Sequence, residues 1–91
     1  MGTSSEIIIL NGKDTKSFYV GFGSHEDDLG QRLKKYVNQT TGENWKDELI
    51  QLLKNDDEFI YMRGNEPTDI TYLVNNEKQL LFRNRSYWKE I

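Results

Sequence analysis

The chain has no cysteine, one histidine and one proline. Without cysteine there is no disulfide, no thiolate metal site and no thiol nucleophile. That usage suits a reducing compartment, and a cytoplasmic location is the expectation. One imidazole excludes His-rich zinc sites and any mechanism that needs two. One proline excludes a Pro-rich linker. No apolar run approaches the ~20 residues of a membrane-spanning helix, so no membrane partner is expected. The start, Met1-Gly2-Thr3-Ser4-Ser5-Glu6, lacks the basic region of a signal peptide.

What is present is a polar, folded composition. The 91 residues are 35% hydrophobic, 30% charged and 12% aromatic. That length argues for one domain, and disordered segments rarely carry so many aromatics. Residues 1–5 read as a flexible lead-in and residues 6–91 as a single soluble domain. The formal net charge is −3. Nucleic-acid modules are usually basic, so the balance leans toward a protein partner. The charge is uneven. Residues 24–58 hold nine acids against five bases, whereas residues 59–91 hold four against five. An acidic middle can steer a basic partner.

The periodicity gives an element order. Glu6–Leu10 is a β-branched run, Asn11-Gly12 is turn chemistry, and Lys16–Phe22 alternates with Phe18, Val20 and Phe22 on one side. This predicts an N-terminal hairpin. Ser24 with Asp27 has capping-box spacing, and Glu26, Asp27 and Asp28 suit a helix N-terminus. Leu29, Leu33, Tyr36 and Val37 form one apolar stripe, and Gly30 inside the helix costs ~1 kcal/mol against alanine, a cost that close packing there would explain. After Thr40-Thr41-Gly42, the residues Trp45, Leu49, Leu52 and Leu53 repeat that stripe. Glu58–Arg63, Asp69–Val74 and Lys78–Arg83 then read as a three-stranded meander, with turns near Gly64–Pro67 and Asn75-Asn76. The expectation is an α+β fold in ββααβββ order: an antiparallel sheet with an αα-hairpin packed on one face. The mixed apolar pattern of the strands suggests that both sheet faces are partly covered.

Candidate chemistry is sparse. His25 has no nucleophile-elbow pattern around it. Gly21-Phe22-Gly23-Ser24 superficially resembles a phosphate loop, but the carboxylates of Glu26, Asp27 and Asp28 would repel an anion there. The triplets Glu26-Asp27-Asp28 and Asp56-Asp57-Glu58 lack the alternating spacing and glycine of a calcium loop. No catalytic residue, cofactor or metal is therefore expected. As contacts for a basic partner protein, Glu26, Asp27, Asp28, Asp47, Asp56, Asp57 and Glu58 are the candidates. Tyr and Trp are enriched in binding hot spots, and Tyr19, Tyr87 and Trp88 lie off the clearest core stripes. Arg83, Arg85, Tyr87 and Trp88 together offer an alternative, a platform for single-stranded nucleic acid.

No motif names a family. The ααβββ order over Ser24–Phe82 resembles that of small bacterial ribonuclease toxins, which are usually basic and use Lys, Arg, His or Tyr on the sheet. This chain is acidic and has an extra leading strand. Its physical character is similar to that of the small inhibitor or immunity proteins that occlude a basic site. The functional expectation is accordingly a non-enzymatic protein-binding domain of that type. The alternative is a single-strand nucleic-acid binder or ribonuclease-toxin-like domain.

Overall fold

Three consecutive isoleucines favour a pleated, half-buried backbone. In the computed structural model they lie in β1 (Ser5–Ile9). The structure describes residues 4–12, 15–21, 25–62, 68, 70–83 and 88–91. The expected hairpin forms: β1 pairs antiparallel with β2 (Lys16–Val20), with Ile7 opposite Phe18. Gly12 in the connection has φ +60°, a conformation that side chains with a Cβ rarely adopt.

The helical layer follows. Ser24 lies outside the described residues, and so does the cap expected from it. The layer opens with a π-helical turn, Glu26–Gly30, in which the Gly30 N–H donates to the His25 carbonyl at 3.4 Å. This turn runs directly into α1 (Gln31–Gln39). Gly42, at φ +85°, lies in the connection to α2 (Trp45–Lys54). Asp47 and Glu48 occupy the first turn of α2 and Lys54 its last, the arrangement that the helix dipole favours.

The sheet departs from the expected antiparallel order. It is mixed, with six strands in the order β3-β2-β1-β4-β5-β6. The strand expected to begin a meander, β3 (Ile60–Met62), pairs with β2 instead. β4 (Ile70–Val74) pairs parallel with β1, with Ile7 opposite Tyr72. β5 (Leu80–Arg83) and a short β6 (Lys89–Glu90) extend that side antiparallel. The physical reason is burial. β1 and β4 are the strands richest in branched apolar residues, and the centre of the sheet is where such strands lose most surface to water.

One core lies between the sheet and the helices. Ile7, Ile9, Phe18, Ile70, Tyr72 and Val74 meet Leu29, Leu33, Val37, Leu49, Ile50 and Leu53 there. Each such side chain contributes about 1.5–3 kcal/mol through burial. The αα-hairpin therefore covers one sheet face, as its two apolar stripes predict, with Tyr36 and Trp45 half-buried at the rim of the core. Over the opposite face no described helix lies. Ile8, Leu73 and Leu81 point there, half-buried and separate from the core.

Candidate functional site

The predicted carboxylates fall into two groups at opposite ends of the helix layer. At one end, the turn after α2 returns to the start of α1. Asp56 accepts hydrogen bonds from Arg32 Nη2 at 3.0 Å and from the Tyr36 hydroxyl at 2.8 Å. Its second oxygen takes the Glu58 amide at 3.1 Å. Glu58 also pairs with Arg32 through Nη1. Burial pushes the Asp56 carboxyl up. The Tyr36 hydroxyl, the Glu58 amide and Arg32 outweigh that and hold it below the ordinary carboxylate value. The hydrogen bond to Asp56, together with burial, pushes the Tyr36 hydroxyl up. The hydrogen bond to Glu58 raises Arg32, and burial opposes that only in part. These two carboxylates thus staple α1 to the turn between α2 and β3. Asp57 is exposed beside them. Asp27 and Asp28 are exposed in the π turn that precedes α1, where Glu26 begins the turn.

At the other end, Asp47 and Glu48 are exposed on the first turn of α2. With the amide side chains of Gln39, Asn44, Gln51 and Asn55, and with Leu52, they line an open groove of about 670 Å³ that runs the length of α2. Among the described residues, no basic side chain lines it. The 10 residues of α2 separate the two ends by about 15 Å. Lys34 and Lys35 are exposed on α1. The acids therefore do not merge into one patch. What the groove offers is two carboxylates and several amide acceptors for a cation or a polar backbone.

Two of the three predicted aromatic anchors, Tyr19 and Trp88, lie on the other side of the molecule. Tyr19 pairs with Ile60 on one side and Glu6 on the other, in the row that continues to Thr71 and Arg83. Trp88 comes next to that row. Its ring lies 4.9 Å from the Arg83 guanidinium carbon, and it is 39% exposed. Tyr19, Arg83 and Trp88 thus share the helix-free sheet face. Tyr87 and Arg85 lie outside the described residues. Ile60, at 58% exposure, shares this face. Its position in a β-branched, apolar stretch carried no signal separating it from the core.

Other chemistry is weakly supported by position. His25 is exposed. Among the described residues, no three His, Asp or Glu side chains converge as a metal-ligand set. Among the described residues, no helix is long and apolar enough to cross a membrane. Compared with protein-family models, curated proteins and solved structures, the chain matches none.

Proposed function

We propose that this chain is a non-enzymatic protein-binding domain of the small acidic inhibitor or immunity type, working in the cytoplasm, which occludes a basic site on a partner protein. The observation that carries the reading is the groove beside α2, where Asp47 and Glu48 stand with amide side chains and, among the described residues, no basic one. A lysine or arginine entering it gains two carboxylates without displacing an internal cation. Asp56 and Glu58 are weaker candidates, because both already pair with Arg32. Asp27, Asp28 and Asp57 add long-range steering from the far end of the layer. Tyr19, Tyr87 and Trp88 were natural companions for these acids by residue type. Tyr19 and Trp88 belong to the opposite face, so an acidic contact through the helix layer does without them.

The test is capture of partner proteins from host lysate by the wild type and by the double variant Asp47→Lys, Glu48→Lys, at low and high salt. A basic protein held in stoichiometric amount by the wild type and lost by the variant supports the reading. Equal capture by both sinks it.

A second reading has one observation in its favour. Tyr19, Arg83 and Trp88 share a flat sheet face, as a single-strand binding platform requires. Glu6 and Glu90 on the same face oppose it. Fluorescence anisotropy with a labelled RNA or DNA oligonucleotide at low salt decides this. Binding weakened by Arg83→Ala supports it, and a flat titration removes it.

A further inference from the structure

We propose that the helix-free sheet face is self-complementary and is covered by a second copy of this chain, related by a two-fold axis lying along the strands between β1 and β4. The strand directions allow it. β1 and β4 run the same way, β2 and β5 run opposite to them, and β3 and β6 run with them. Rotation about that axis lays β1 over β4 of the second copy, β2 over β5, and β3 over β6, with every direction preserved. An isologous contact has this property.

The register then sets which residues meet. In the row of Glu6, Tyr19 comes opposite Arg83, Ile60 comes opposite Trp88, and Glu6 comes opposite Thr71 and beside Arg83. Two residues further along β1, Ile8 faces Leu73 and Ser17 faces Leu81. Apolar side chains meet at the centre. A tyrosine ring meets a guanidinium, and Glu6 lies one strand from Arg83 of the other copy on one side and one strand from its Glu6 on the other, so the attraction is partly offset across the axis. Each contact is made twice. Packed twisted sheets cross at about −30°, so the match is closest over the central strands.

Charge and size narrow the occupant. Glu6 and Glu90 outnumber Arg83 on this face, which disfavours a polyanion, and the same excess on a second copy weakens the self-contact. Five inter-strand gaps make the face roughly 24 Å wide, and five residues of strand make it roughly 17 Å long. The projected area is about 400 Å² per copy, below the ~800 Å² per partner of a standard interface. The dimer is therefore reversible and concentration-dependent.

Sedimentation velocity of the full chain, from about 1 μM to about 1 mM, tests this. Circular dichroism identifies the variants that fold. A reversible monomer–dimer equilibrium is expected. Arg83→Glu and Glu6→Arg should each weaken it by roughly tenfold or more, because each places like charges together. The double variant Glu6→Arg, Arg83→Glu should recover most of the loss, which misfolding cannot imitate. Leu73→Lys should abolish association. A folded wild-type chain that stays monomeric throughout overturns the proposal. So does a dimer indifferent to Arg83→Glu and Leu73→Lys, or a double variant no better than either single one. Oligonucleotide binding by the monomer, lost in Arg83→Glu, would assign the face to nucleic acid and overturn it equally.

Discussion

Ile91 closes over Gly30: a β-carbon at position 30 would stand 3.2 Å from Ile91 Cδ1 and 3.4 Å from Tyr72 Cε1. Gly30 has an ordinary helical backbone, with φ −58°. Its role is therefore room, not conformational freedom. The Ile91 N–H donates to the Leu80 carbonyl at 3.0 Å, so the end of the chain is held against both the sheet and the helical layer. Gly30→Ala should change stability by less than about 1 kcal/mol, since helix propensity gained offsets crowding of a flexible side-chain end. Gly30→Leu has no such escape and should cost about 2 kcal/mol or more. Gly30→Ala should become stabilising in an Ile91→Ala background. Urea denaturation of the four variants reads all of these.

The staple between α1 and the turn before β3 should weaken unequally when cut. Asp56 holds three hydrogen bonds and is mostly buried, so Asp56→Ala should cost about 1–3 kcal/mol. Glu58 is 55% exposed and shares the same arginine, so Glu58→Gln should cost less than about 1 kcal/mol. Equal losses in denaturant midpoints would contradict the geometry.

The same staple predicts a pH dependence. The Asp56 carboxyl is held below its ordinary 3.8, so the unfolded chain binds more protons near that pH. Its stabilisation is complete above pH 3.8 and is lost as the pH falls through the lower folded value. Tyr36 acts at the other extreme. Its pKa is raised, so its contribution is present below pH 10 and lost as the pH rises through the raised value. Unfolding free energies from pH 2 to 7 should fall less steeply in Asp56→Asn than in the wild type. Identical slopes would show that Asp56 does not carry the acid sensitivity.

Asn75 organises the turn between β4 and β5. Its side-chain oxygen accepts the amides of Glu77 at 3.0 Å and Gln79 at 2.9 Å. Those bonds hold a turn in which Lys78 adopts φ +64°, unusual for a residue with a Cβ. Asn75→Ala should cost about 1–2 kcal/mol in thermal denaturation. Asn75→Asp keeps the acceptor and should cost about half as much or less.

Much of the local structure was legible in the residues. The helix stripes around Leu33 and Leu49 have the 3.6 period of a one-sided helix, and the helices bury Leu33, Val37, Leu49 and Leu53 from them, whereas Leu52 is half-buried on the groove and Ile50 is buried instead. Alternation in Lys16–Val20 and Ile70–Val74 showed which side chains share a face. The glycine at position 30 stood out as a helix-weakening residue, but the room it leaves for Ile91 and Tyr72 is set by contacts that only the tertiary structure makes. The carboxylate-rich middle was visible as composition. That Asp56 and Glu58 are spent on Arg32 was not, because the contact closes across more than twenty residues.

By itself the sequence determined the class of the molecule. Periodicity and turn chemistry are local, so they specify strands, helices and their apolar sides. The tertiary structure alone decided which strands are neighbours. Alternation gives every strand a buried side but names no partner, and competition for the most buried positions placed β1 beside β4 and sent β3 to the edge beside β2. That choice of neighbours set Tyr19, Arg83 and Trp88 on one open face and the carboxylates on the helix layer, because strand order and register assign side chains to a surface after local pattern has assigned them to a strand.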